Sequence, residues 1–225
     1  MGPLLSRDGS PHVTDEVINT ISHLVAGCFA LLGGVLLIAQ AASAHKIWDI
    51  VAFAIYGVAL VNLFTFSTLH HGMRGGPKLH RILRTFDYIA VFGLIAGTVT
   101  PIVLVLYRDT FGWSVLGVVW AIAALGITLR AIHHNLPKYI TNTLFIVLGW
   151  IPAVLALGGG RHLPAVGLGL LAVGGLLYSF GFVLFIIEKP NPKPGIFGFH
   201  EIWHILVALA AISHYFFMYF YVLPS

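Results

Sequence analysis

The fold is decided by a stretch that reads HLPAVGLGLLAVGGLLYSFGFVLFII over residues 162–187. It contains no Asp, Glu, Lys or Arg, and it exceeds the roughly 20 apolar residues that a helix needs to cross a bilayer core of about 30 Å. In the whole chain of 225 residues, 9% are charged and 58% are hydrophobic, whereas about 25% of the residues in a soluble domain are charged. This composition excludes a soluble domain and favours a protein embedded in lipid.

Segments without Asp, Glu, Lys or Arg give seven windows that are each long enough to span a membrane. They cover residues 17–45, 50–73, 88–107, 110–129, 139–160, 162–187 and 202–225. These runs are long and continuous, which excludes the short alternating strands of an outer-membrane barrel. The sequence therefore predicts an all-α polytopic membrane protein, a bundle of seven transmembrane helices that we number as spans 1 to 7.

The basic residues predict the orientation of the bundle, because Lys and Arg in short loops stay on the cytoplasmic side. If the N-terminus is inside, nine of the twelve fall in inner segments, and three fall in outer segments: Lys46, Arg108 and Arg161. We therefore predict a cytoplasmic N-terminus and an external C-terminus in the plasma membrane, which in a bacterium is the inner membrane. Anionic headgroups account for these charges, so no nucleic acid partner is expected.

The loops are too short to hold a separate soluble domain, so residues 1–225 are predicted to form a single seven-helix transmembrane domain. Residues 1–15 are polar, and part of this segment is expected to be disordered. The single cysteine, Cys28, cannot form an intrachain disulfide. The glycines from Gly167 to Gly175 indicate close helix packing rather than a nucleotide-binding loop, because small residues let membrane helices approach each other.

Ionisable side chains in or beside the spans are informative because lipid makes them costly. The clearest group is His200-Glu201-Ile202-Trp203-His204 at the start of span 7, where the i, i+4 spacing puts two imidazoles on one helix face. The segment from Ser67 to His71 ends span 2, and Asp87 lies at the start of span 3. The predicted topology puts all three places at one membrane depth. Three histidines and an acid there suit a catalytic zinc ion, which takes three protein ligands and a water.

The spacing leaves two choices open. His70 and His71 are adjacent, so either can supply the third ligand. Glu201 competes with Asp87 for the role of general base, since the Glu of an HExxH motif has that role in soluble zinc proteases. At 100° per residue Glu201 points away from the mean direction of the two histidines, and we favour Asp87.

At these residues the sequence resembles the hemolysin III family, the bacterial branch of the progestin and adipoQ receptor superfamily, which is grouped more widely with alkaline ceramidases. The matching pieces are, in the family's order, Glu16 to Asn19 with His23, Ser67 to His71, Asp87 with Ile95 to Pro101, and Phe199 to His204. The resemblance implies a seven-helix fold and a Zn²⁺ ion held by His71, His200 and His204. It also implies that Asp87 orients or deprotonates the water at the metal. Ser67 would hydrogen-bond to a substrate or to the site.

The function that this resemblance implies is a zinc-dependent hydrolase of a lipid amide, similar to a ceramidase and acting in membrane lipid homeostasis. Its partner would be a membrane lipid whose acyl chain enters between the helices. Two other classes stay open. One is a non-enzymatic membrane regulator or receptor-like protein with a structural zinc ion, and the other is a proton or ion pathway, suggested by His214 deeper in span 7.

Overall fold

Helices make up the secondary structure of the described residues, apart from one isolated bridge between Lys193 and Phe197. The computed structural model describes residues 16–133, 136–158 and 163–225. The helices are Glu16–Ser43, Ile47–Gly72, Pro77–Pro101, Thr110–Ile132, Lys138–Trp150, Ala153–Gly158, Ala165–Ile187 and Phe199–Phe217. The third helix and the last one continue into π-helical turns, which are Ile102–Leu106 and Met218–Val222. The predicted all-α fold class is confirmed.

Seven stretches among the described residues are long and apolar enough to cross a membrane. They are span 1 (Glu16–Ser43), span 2 (Ile47–Gly72), span 3 (Pro77–Leu106), span 4 (Thr110–Ile132), span 5 (Lys138–Leu155), span 6 (Ala165–Ile187) and span 7 (Phe199–Val222). Each overlaps one predicted window, so the seven-span bundle is confirmed. Residues 1–15, with Arg7, and also Arg161 lie outside the described residues. The cytoplasmic placement of the N-terminus stays a prediction.

Spans 3 and 7, which carry candidate site residues, begin earlier than their predicted windows. Span 3 begins at Pro77 rather than at residue 88, so Asp87 and three basic residues lie within its helix. Span 7 begins at Phe199 rather than at residue 202, which places His200 in its first turn. A window without charges stops at the first charged residue. The helix of span 3 continues past that residue, because long basic side chains at its end can extend toward the headgroups. In span 7 the charged residue is Glu201, which is buried.

Span 5 consists of two helices instead of one. Its first helix ends at Trp150 and the second begins at Ala153, with a turn at residues 151 and 152. Pro152 has no backbone N–H to donate to the preceding turn, which explains the interruption. The span keeps its place in the bundle because the apolar sequence continues through the turn.

Spans 1, 2, 3 and 7 form the part of the bundle that positions the candidate site. Span 2 packs against spans 1 and 3, and span 7 packs against spans 1 and 6. Phe53 and Phe64 of span 2 are buried, and Phe92 of span 3 is buried against Phe145 of span 5. On the outside, Phe29 and Phe180 are 68% and 59% exposed, as expected for side chains that face lipid. Consecutive spans run in opposite directions, so span 2 ends at the end of the bundle where spans 1, 3 and 7 begin. We call this end of the bundle the histidine end.

Glycines line the contact between spans 6 and 7. A Cβ atom on Gly174 would overlap the ring of His214, and one on Gly181 would lie 2.8 Å from the indole of Trp203. The two glycines are seven residues apart and therefore lie on the same helix face. The interpretation of the glycine-rich segment as a packing surface is thus supported, because a larger residue at either position would push the two spans apart.

Candidate metal centre

Three histidines from two spans meet at the histidine end. Each of His71, His200 and His204 offers a ring nitrogen, and these nitrogens all lie within 4.8 Å of one another. The ring centroid of His71 is 5.0 Å from that of His200 and 4.7 Å from that of His204. His71 and His204 are only 3% and 2% exposed. The structure therefore brings together the three residues that the resemblance implied as ligands.

The helices explain how this group forms. His200 and His204 are one turn apart in span 7, so their rings lie on the same face with centroids 4.9 Å apart. His71 lies in the last turn of span 2. Its ring reaches the two rings of span 7 from the side. Two ligands thus come from local helix spacing, and the third depends on how spans 2 and 7 are placed in the bundle.

The spacing of the nitrogens fits a metal ion. Nε2 of His71 lies 3.3 Å from Nε2 of His200. Two nitrogens bound to one tetrahedral zinc ion at about 2.0–2.1 Å lie roughly 3.4 Å apart. Imidazole is also the commonest nitrogen donor for metals of this class. This buried group can hold a metal ion, with the donors that suit zinc.

The adjacent histidine, His70, has a different position. It forms a second potential ligand group with His71 and Asp87, and it is absent from the group that contains the span 7 histidines. The centroids of the two adjacent rings are 4.6 Å apart. The structure therefore selects His71 over His70 as the span 2 residue that faces His200 and His204, a choice that spacing in the sequence left open.

Ser67 and Asp87 form a pair beside His71. The hydroxyl of Ser67 lies beside the carboxylate of Asp87, and Ser67 is 1% exposed. An oxygen of Asp87 lies within 4.8 Å of a ring nitrogen of His71. The carboxylate is thus held between spans 2 and 3, next to a residue of the three-histidine group, as the sequence predicts.

Glu201 is occupied by structural contacts. Its Oε2 accepts a hydrogen bond of 2.6 Å from the backbone N–H of Gly198, and its Oε1 accepts one of 2.9 Å from the side chain of Asn19. The residue is only 1% exposed. Glu201 therefore caps the start of span 7 and ties it to span 1. These contacts favour Asp87 as the carboxylate that is available for chemistry.

Residues 12–215 match the family model described as Haemolysin-III related. The chain belongs to the haemolysin III family. It is 32% identical to Hemolysin-3 of Bacillus cereus over 213 residues, which are 95% of this chain and 94% of that protein. It is 27% identical to the human monocyte to macrophage differentiation factor over 96% of this chain and 87% of that protein. It is 26% identical to the adiponectin receptor protein of Drosophila melanogaster over 90% of this chain and half of that protein.

In this haemolysin III protein, span 1 also contacts the histidines, at Glu16 and at His23, which the sequence places at the same end of the bundle. Oε2 of Glu16 lies 2.6 Å from Nδ1 of His71. The ring of His23 stacks on that of His204 with centroids 3.8 Å apart, and Nε2 of His23 lies 3.3 Å from the backbone oxygen of His204. With Asn19, these polar residues lie at i, i+3 and i+7, which is one helix face. That spacing was the available signal, and it shows which face of span 1 is turned toward the histidines.

Proposed function

We propose that His71, His200 and His204 bind a zinc ion and that the protein hydrolyses an amide bond in a membrane lipid. The observation that carries the proposal is the three-histidine group with the Ser67–Asp87 pair directly beside His71. When bound, zinc supplies a Lewis acid that makes water a nucleophile near neutral pH. The proposal places this chemistry on the cytoplasmic side of the plasma membrane, in agreement with the distribution of basic residues.

Asp87 has the position of a general base. It lies next to His71, and its side chain is partly buried. In the proposed reaction, Asp87 takes a proton from water as the water oxygen bonds to the amide carbon. The carboxylic acid then returns the proton to the leaving nitrogen as the C–N bond breaks. The hydroxyl of Ser67, which lies beside this carboxylate, would hold it in one orientation.

A lipid substrate fits the surroundings of the site. The group lies at one end of seven apolar spans whose outer side chains are exposed, such as Phe86 near Asp87. An acyl chain can lie along such a surface while its polar head stays near the histidines. The amide bond is proposed from the resemblance to alkaline ceramidases, together with the donor set of the site.

The test is hydrolysis by the purified protein in liposomes that contain an N-acyl sphingoid lipid, with the released fatty acid and amine measured by mass spectrometry. We expect turnover by the wild type. The Asp87→Asn variant should hydrolyse the lipid at least about 100-fold more slowly, as is typical for removal of a general base, while it keeps its metal. Asp49→Asn, at the opposite end of the bundle, is the control and should keep wild-type turnover. Equal turnover by Asp87→Asn and the wild type would exclude the assigned role.

A structural role for zinc is the second candidate, and one observation favours it. A metal ion shared by His71 and His200 would join spans 2 and 7 through residues 129 positions apart. The liposome experiment separates the two functions, because a structural ion predicts full metal content without any lipid product. An ion pathway has less support, since His214 packs against Gly174 and its Nε2 lies 3.3 Å from the backbone oxygen of Leu171.

A further inference from the structure

A carboxylate from span 1 contacts the span 2 histidine of the metal centre. Oε2 of Glu16 lies 2.6 Å from Nδ1 of His71, and both side chains are largely buried. The two residues are 55 positions apart, so the contact depends on the packing of span 1 against span 2. It is also the shortest of the polar contacts described here that reach a histidine of the group.

The contact divides the two nitrogens of the His71 ring between two partners. Nδ1 faces Glu16, whereas Nε2 faces His200 at 3.3 Å. A neutral imidazole has one N–H and one lone pair, and the hydrogen bond made by one nitrogen decides which of them binds a metal. If Nδ1–H donates to the carboxylate, the lone pair of Nε2 points into the three-histidine group.

We propose that Glu16 is the positioning residue of the metal centre, which fixes the ring of His71 so that Nε2 is the ligand atom. The proposal rests on the proposed metal site and adds a residue to it. A carboxylate behind a ligating histidine orients the ring and raises its basicity as a ligand, and its loss usually weakens metal binding by 10–100-fold. Glu16 does not touch the metal position itself.

The other contacts of span 1 make the role of Glu16 distinct. Asn19 binds Glu201 at the start of span 7, and His23 stacks on His204. Span 1 therefore contacts two histidines of the group, through Glu16 and His23, and the cap of span 7 through Asn19. Glu16 is the one of these residues that binds a ring nitrogen of a ligand histidine, so its substitution should change metal affinity more than the stability of the fold.

Glu16→Asp is the most informative variant. It keeps the negative charge in the first turn of span 1, where a carboxylate interacts favourably with the helix dipole. It shortens the side chain by one bond of about 1.5 Å, so the contact of 2.6 Å is lost. Glu16→Gln keeps the length of the side chain and removes its charge. A matched control is Glu188→Asp, because Glu188 pairs with Lys138 at 3.3 Å and takes no part in the three-histidine group.

The experiment titrates zinc into the metal-free full-length protein in nanodiscs, in competition with a fluorescent chelator of known affinity. We expect Glu16→Asp to bind zinc 10–100-fold more weakly than the wild type. Glu16→Gln should bind zinc at least about threefold more weakly than the wild type, because the hydrogen bond to His71 no longer involves a charged carboxylate. Glu188→Asp should match the wild type, and His71→Ala should bind least.

The melting temperature of the metal-free protein separates positioning from a structural role. In the absence of metal, we expect Glu16→Asp and Glu188→Asp to have the same melting temperature. Zinc should raise the melting temperature of Glu16→Asp much less than that of the wild type. A similar loss of stability with and without zinc would overturn the proposal. So would wild-type zinc affinity in both Glu16 variants, which would leave the metal centre intact. If the wild type itself binds no zinc, the proposed function fails. If Glu16→Asp does not fold, the affinity of Glu16→Gln decides.

Discussion

Both ends of the bundle carry charged and polar side chains, but the contacts between these side chains differ at the two ends. At the histidine end, short buried contacts link side chains from different spans, such as Glu16 with His71 at 2.6 Å and Asn19 with Glu201 at 2.9 Å. At the opposite end, Lys46 lies 3.9 Å from Asp49 only three positions later, and a third of the lysine side chain is exposed. Close packing of distant spans thus defines one geometry at the histidine end, whereas the opposite end has looser pairs.

The comparison shows where a specific site can form. A buried polar group needs defined partners, because lipid and protein do not replace water as a hydrogen-bonding medium. At the histidine end several partners come from another span, as for Glu16 with His71 and Asn19 with Glu201, so the bundle must adopt one arrangement to satisfy them. At the opposite end, water and headgroups can replace the contacts of Lys46.

The largest expected effect is on metal content and comes from substitution of adjacent histidines. His71→Ala should abolish metal binding, because it removes one of three donors. His70→Ala should retain about one ion per chain, because His70 is absent from the group with His200 and His204. Metal analysis of the two purified variants beside the wild type measures the difference. The opposite result would assign the span 2 ligand to His70 and contradict the geometry of the three-histidine group.

A smaller effect is expected on stability when one buried carboxylate is removed from each end. Glu201→Ala leaves the amide of Asn19 and the N–H of Gly198 without their acceptor, which should cost about 1–3 kcal/mol. Asp49→Ala should cost less than about 1 kcal/mol, because its pair with Lys46 is long and partly exposed. Denaturant unfolding of the metal-free proteins in micelles compares them. Equal losses would show that the two ends are equally ordered.

The smallest effect is expected for Lys46→Met. Lys46 donates to the backbone oxygen of Leu223 at 3.3 Å and lies near Asp49, and such half-exposed contacts contribute about 0.5 kcal/mol or less. The melting temperature should change little, and the zinc affinity should equal that of the wild type. A large decrease in zinc affinity would reveal coupling between the two ends of the bundle.

Much of the candidate site was predicted from the sequence, because its parts follow local rules. The pair His200 and His204 has the spacing of one helical turn. The alternation of spans then put Asp87 and the end of span 2 at the same depth as this pair. The role of Glu201 was harder to predict, since its partners Asn19 and Gly198 become visible only when spans 1 and 7 are packed together.

The seven spans, and the end of the bundle at which each polar residue lies, could be predicted from the sequence, because hydropathy and helix periodicity depend on neighbouring residues. Which side chains meet depends on the packing of the spans. This packing selected His71 over His70, turned Glu201 toward Asn19, and placed Glu16 against the ring of His71. These choices depend on how each helix is rotated against the next, and that rotation is fixed by packing between residues far apart in the chain.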